Sequence, residues 1–118
     1  MKLKLFALAA LIVAQPAAAA SLSAADVLEI KERASSGAFA GRAEWTALTF
    51  YLQGAVETAM GYNDALKDAG QTGLFCPPPG TSESLDSLIA MLERTKAEDR
   101  TRQAASLILE DYARKYPC

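Results

Sequence analysis

The stretch Leu74-Phe-Cys-Pro-Pro-Pro-Gly80, together with the final pair Pro117-Cys118, decides how this chain folds. Cys76 and Cys118 are its only cysteines. A bond between them closes a loop of about 43 residues, and the chain-entropy relation then predicts about 4 kcal/mol of stabilisation. That is a large share of the stability of a small domain. We therefore expect a disulfide that fixes the carboxyl terminus.

The amino-terminal 20 residues have the three parts of a secretory signal peptide. Lys2 and Lys4 are followed by the apolar run 5–14 and then by four alanines at 17–20. The run is too short to span a bilayer, which needs about 20 apolar residues. We predict a signal peptide over 1–20 and a single domain over 21–118, although cleavage after Ala18 or Ala19 also satisfies the small-residue rule. The mature protein is then exported without membrane insertion, into a compartment where disulfides form.

Apolar residues recur at intervals of three and four throughout the mature chain, which predicts an all-α fold. We expect an up-down bundle of four main helices, with the disulfide pinning the last helical hairpin. Ser23 with Asp26 predicts a capped first helix that stops at Ser35-Ser36-Gly37. The second should run from about Arg42 to Asp68 and end at Gly70.

The other two helices are predicted from cap residues. Thr81 or Ser82 should begin a third helix of about 12 residues, and Thr95 with Glu98 should begin a fourth of about 19 residues that ends near Lys115. The three prolines should form an extended rod that carries Cys76 to the level of Cys118.

One face of the second helix is apolar and is predicted to pack in the core. Its members are Trp45, Leu48, Leu52, Ala55, Val56, Ala59, Tyr62 and Leu66. A neighbouring stripe of small residues includes Gly54 and Gly61, which suggests that another backbone crosses closely there. Phe50 lies on the polar side, where it is either covered by the first helix or exposed as a partner contact.

Catalytic and cofactor signals are weak. The chain has no histidine, so the commonest general base and the usual zinc ligand are missing. Glu57 is better interpreted as a solvated carboxylate than as an acid-base catalyst. We therefore predict no enzyme activity, no metal and no cofactor. The mature chain is acidic, because cleavage removes only cations, and this argues against a nucleic-acid partner.

Three motifs occur in a characteristic order: Tyr-Leu-Gln-Gly-Ala-Val at 51–56, Leu-Phe-Cys-Pro-Pro at 74–78, and Tyr-Pro-Cys at 116–118. In this order the chain resembles the Rap/Tai family of type VI secretion immunity proteins. The resemblance implies a small helical periplasmic protein, a possible homodimer, that binds a cognate peptidoglycan-cleaving amidase and blocks its cleft. Many members carry a second cysteine pair, which this chain lacks.

Blocking surfaces in such inhibitors are usually loops, so the resemblance points to the corner between the third and fourth helices. The candidate contact residues there are Arg94, Thr95, Lys96 and Glu98. Two other functions remain open: an acid-stress holdase chaperone, which should expose apolar surface near pH 3, and an accessory envelope protein with no toxin partner.

Overall fold

A computed structural model describes residues 21–37 and 39–118 of the chain. Four α-helices cover most of this part: α1 Ala24–Ser35, α2 Phe39–Asp68, α3 Leu85–Glu93 and α4 Ala104–Lys115. A short 3₁₀ turn, Ala97–Asp99, lies between α3 and α4. The all-α prediction is therefore confirmed. The predicted signal peptide lies outside the described residues.

The first helix begins and ends where local chemistry predicts. Ser23 accepts a hydrogen bond from the backbone N–H of Asp26 at 3.1 Å, and the Asp26 carboxylate accepts one from the Ser23 N–H at 2.9 Å. This reciprocal pair is the capping box, and it lowers the pKa of Asp26. Gly37, at φ +78°, follows the last turn in the left-handed region that glycine adopts without strain.

The second helix starts three residues earlier than predicted, at Phe39, and ends at Asp68 as expected. Gly70 has a φ of +74° and donates its N–H to the carbonyl of Lys67, while Gln71 donates to the carbonyl of Leu66. These two bonds satisfy carbonyls that the end of the helix leaves open. α1 packs mainly on α2. A Cβ at Gly41 would lie 2.5 Å from the carbonyl oxygen of Arg33, so the two backbones meet there.

The predicted start of the third helix is wrong. Thr81 closes a turn, because its N–H and its hydroxyl both donate to the carbonyl of Pro78 at 3.1 and 2.6 Å. Gly80, at φ +81°, makes that turn possible. The proline segment consequently turns before the helix instead of running on as a straight rod. α3 begins after Ser84, whose hydroxyl accepts from the N–H of Ser87 at 3.1 Å.

The predicted capping box at Thr95 and Glu98 is also wrong, and α4 begins only at Ala104. The segment 100–104 instead pairs with the amino end of α1. Ala25 and Ala24 donate to the carbonyls of Arg100 and Arg102 at 2.9 and 3.0 Å, and Ala104 donates to the carbonyl of Leu22 at 2.8 Å. These bonds satisfy open N–H groups at the starts of both helices, so the tertiary contact replaces the first turns of the predicted helix.

The core lies among all four helices and the loop before α3. Its buried apolar residues are Ala24, Val27, Leu48, Leu52, Phe75, Leu88, Ile89, Leu92, Ala104, Leu107, Ile108 and Tyr112. Tyr62, predicted to be in the core, is 60% exposed. Phe50 is 71% exposed, so the first helix does not cover it.

The carboxyl terminus is fixed as predicted. Cys76 and Cys118 form a disulfide with their Cα atoms 4.9 Å apart. Beside it, the N–H of Cys76 donates to the carbonyl of Tyr116 at 2.8 Å. The Tyr112 ring lies between those of Phe75 and Tyr116, with centroid distances of 5.6 and 5.8 Å. Burial is the main reason why the pKa of Tyr112 rises to about 12.

Candidate partner-binding site

The corner between α3 and α4 holds the candidate contact residues. Its backbone is fixed by Arg100, whose guanidinium donates to the carbonyls of Thr95 and Glu93 at 3.3 and 3.1 Å. A cation at the carboxyl end of a helix also interacts favourably with the helix dipole. The corner is therefore held in one conformation by bonds to its backbone, which leaves its outer side chains free for contacts.

A cleft of about 300 Å³ opens beside this corner, between the corner and α4. Its lining residues are Met91, Arg94, Thr95, Lys96, Asp99, Arg102, Leu107, Glu110, Asp111 and Arg114. The structure thus brings Arg94, Thr95 and Lys96 together on one cleft. Glu98 is exposed on the 3₁₀ turn and does not line it.

Charge is distributed unevenly around the cleft. Arg114 pairs with Asp111 at 3.3 Å. Arg102 pairs with Glu110 and, at 3.8 Å, with Asp99; the hydrogen bond to Glu110 is the main reason why the pKa of Arg102 is raised. Arg94 and Lys96 are exposed and pair with no carboxylate in 21–37 or 39–118. These two cations remain available to an acidic partner.

An ion pair between Glu83 and Lys115 joins the two helices at the opposite end of the α3–α4 hairpin. Glu83, whose side chain is only 9% exposed, accepts from the hydroxyl of Ser87 and from Lys115 Nζ at 3.0 Å. The Ser87 bond, followed by the Lys115 interactions, holds the pKa of Glu83 below its ordinary value of 4.5. The same carboxylate raises the pKa of Lys115.

We expect Glu83 to make stability depend on pH in the acid range. A carboxyl with a lowered pKa in the folded state stabilises the fold above its ordinary value, and this contribution is lost as the pH falls through the folded value. Glu83→Gln should therefore cost about 1 kcal/mol at pH 7 and less near pH 3. Urea unfolding at both pH values measures this, with Glu57→Gln, an exposed carboxylate in the middle of α2, as the control. Equal losses at both pH values would contradict the prediction.

The buried amide of Asn63 was not identified from the sequence. Asn63 is 0% exposed, and its Nδ2 donates to the carbonyl of Phe75 at 2.9 Å, while its Oδ1 accepts from the Phe75 N–H at 3.1 Å. This pair holds the loop before Cys76 against α2. The sequence feature that could have identified Asn63 is its place as a polar residue on the apolar arc of the α2 helical wheel, beside Val56 and Ala59.

The described part of the chain holds no group of three His, Cys, Asp or Glu residues that could bind a metal ion. None of the helices within 21–37 and 39–118 combines the length and apolarity that a membrane span requires.

In the comparison with protein families, the model of the Rap1a immunity proteins matches residues 15–118. Neither the curated proteins nor the solved structures gave a match. The matched range includes the motifs at 51–56, 74–78 and 116–118, the disulfide and the corner between α3 and α4. It covers far more than half of the chain, so the chain belongs to the Rap1a immunity protein family.

Proposed function

We propose that this protein is a periplasmic type VI secretion immunity protein that binds a peptidoglycan-cleaving amidase and occludes its active-site cleft. The observation that carries the proposal is the family match over residues 15–118. Residues 1–20 act as the signal peptide, and 21–118 form the single binding domain. The protein contributes no catalytic chemistry of its own.

The corner of Arg94, Thr95, Lys96 and Glu98 is the proposed contact. A rigid loop loses little conformational freedom on binding, so more of its contact energy appears as affinity. The bonds from Arg100 to the corner carbonyls provide that rigidity. Arg94 and Lys96 then pair with carboxylates at the rim of the amidase cleft, and the loop excludes the peptidoglycan stem peptide from it.

The mature protein also forms a homodimer in this proposal. Two copies would present two such corners, one for each amidase molecule. Dimerisation and inhibition are separate properties and can be measured separately.

The proposed function is tested with protein purified from the periplasm and with amidases encoded beside its gene. We expect one of them to be inhibited, as measured by release of dye-labelled peptidoglycan. The double variant Arg94→Glu/Lys96→Glu should weaken inhibition by about tenfold to a hundredfold, since it repels an acidic rim. Lys67→Glu, a single charge reversal at an exposed position on α2, is the control, and it should inhibit normally.

Failure to inhibit any of these amidases at micromolar concentration would overturn the proposal. Binding of a hydrophobic dye near pH 3, together with protection of unfolded clients, would support an acid-stress chaperone instead. The absence of both activities would support an accessory envelope protein with no toxin partner.

A further inference from the structure

A groove of about 520 Å³ lies where the end of α1 meets the starts of α2 and α3. Trp45 is the largest side chain that lines it, and the same residue packs against the core, so it is only partly buried. The small residues Ala34, Ser35 and Thr46 leave room in the groove beside it. The core thus holds one side of Trp45, while the groove leaves another side open to a ligand.

The groove is formed by regular helices and not by a loop. At Gly41 a Cβ would lie 2.5 Å from the carbonyl oxygen of Arg33, so the backbones of α1 and α2 touch there. Trp45 lies four residues further along α2 and therefore on the same side of the helix, next to the end of α1. A partner consequently meets a surface that exists before binding, which lowers the entropic cost of the contact.

Charges of both signs line the groove. Arg42 on α2 is exposed and pairs with no carboxylate within 21–37 or 39–118. Asp86 on α3 is also exposed, and no cation of those two ranges pairs with it. An apolar group with one carboxylate directed at Arg42 fits this arrangement, whereas a second carboxylate would be repelled at Asp86.

The groove adjoins the proposed contact corner between α3 and α4. Lys31, which lines the groove, forms an ion pair with Glu93, and Glu93 directly precedes Arg94 of the corner. The carbonyl of Glu93 also accepts from Arg100, one of the bonds that hold the corner. Glu93 therefore links the groove and the corner, and one partner can cover both.

The corner alone is too small for a tight complex. A specific interface buries about 800 Å² on each partner and involves about 20–30 residues. Its centre is apolar and its rim is polar, but the four candidate residues of the corner are all polar. The groove supplies the missing apolar part. It also supplies Trp45 and Arg42, and tryptophan and arginine are among the residue types that most often dominate binding energy.

We infer that the Trp45 groove is the apolar centre of the amidase interface, with the corner as part of its polar rim. The occupant is an exposed segment of the amidase that carries an apolar side chain next to a carboxylate. The apolar side chain packs on Trp45, and the carboxylate pairs with Arg42. This inference rests on the proposed function and adds a second contact to it.

The test is the dissociation constant of the complex between the mature protein and the amidase that it inhibits, measured by calorimetry. Thr46→Trp should raise the constant at least tenfold, because the added ring fills the groove while Trp45 keeps its core contacts. Arg42→Glu should raise it about threefold to tenfold, because the new charge repels the carboxylate of the partner. Both positions are exposed, so these variants should fold normally.

Phe50→Ala is the matched control. Phe50 is an aromatic residue on the same helix, 71% exposed and about 140° around the helix from Trp45. Its removal should leave the dissociation constant unchanged. A loss of affinity in Phe50→Ala but not in Thr46→Trp would place the amidase on the other side of α2 and would overturn the inference.

A second measurement reports on the groove directly. Trp45 is the only tryptophan of the chain, so labelling with 5-fluorotryptophan gives a single ¹⁹F resonance. Unlabelled amidase should shift this resonance, because the bound segment replaces water around the indole. The corner variant Arg94→Glu/Lys96→Glu should need about tenfold to hundredfold more amidase for the same shift. An unchanged resonance in the saturated wild-type complex would contradict the inference.

The proposed function and this inference fail in different ways. A wild-type protein that inhibits no amidase overturns both. A wild-type protein that binds and inhibits an amidase, with Thr46→Trp and Arg42→Glu equally tight, overturns the groove alone and leaves the immunity function standing.

Discussion

Removal of the Cys76–Cys118 disulfide should lower the free energy of unfolding by about 4 kcal/mol. The bond closes a loop with a sequence separation of 42 residues, and the chain-entropy relation for a loop of this size gives that value. Domains of this size have total stabilities of about 5–15 kcal/mol, so the reduced protein should be only marginally folded. Urea unfolding of the oxidised protein and of the double variant Cys76→Ser/Cys118→Ser measures the difference.

A reductant gives the matching control. It should destabilise the wild-type protein to the level of the double variant and should have no effect on the variant itself. The loss should be concentrated at the carboxyl end, because Cys118 and the backbone pair of Cys76 with Tyr116 hold that end to the loop. A difference below 1 kcal/mol would show that the ring contacts of Tyr112 with Phe75 and Tyr116 hold the terminus without the bond.

The sequence predicts best the features that a few neighbouring residues determine. The capping box of Ser23 with Asp26 and the glycine stop at Gly70 use only local hydrogen bonds, and both were predicted correctly. The disulfide was predicted because the chain has only two cysteines. By contrast, the sequence predicts Thr81 and Thr95 as helix caps, and neither prediction is correct. Thr81 donates to the Pro78 carbonyl instead, and contacts with the start of α1 replace the first turns of the helix predicted after Thr95.

The sequence shows which face of a helix is buried more readily than which backbone packs against that helix. The helical wheel of α2 separates the core face from the outer face correctly near Leu48 and Leu52, but it cannot show where another backbone comes close. That approach occurs at Gly41, against Arg33, and not at Gly54 or Gly61. The candidate site shows the same limit. The structure places Arg94, Thr95 and Lys96 on one cleft but leaves Glu98 outside it, because Glu98 lies on a 3₁₀ turn that replaced the predicted helix.

Asn63 is the second residue from which we expect a large effect. Asn63→Ala should cost about 3 kcal/mol, because it leaves the N–H and the carbonyl of Phe75 without partners in a buried site. Phe75 is 1% exposed, so water cannot easily replace the lost amide. Urea unfolding measures the loss. Tyr62→Ala, at the neighbouring exposed position, should change stability by less than about 0.5 kcal/mol.

A third variant tests the geometry of this amide pair. Asn63→Asp keeps the shape but replaces the Nδ2 donor by an oxygen that faces the Phe75 carbonyl, so the ionised form is both buried and repelled. Its pKa in the folded state should be raised, and the variant should gain stability relative to the wild type as the pH falls from 7 towards 4, where the protonated acid can donate to that carbonyl. An acid-dependent recovery of this kind would show that the side chain at position 63 stays buried beside the Phe75 carbonyl in the folded state. If Asn63→Asp were as stable as the wild type at pH 7, the amide would not hold the loop, and the placement of Cys76 beside Cys118 would have to depend on the ring contacts of Phe75 alone.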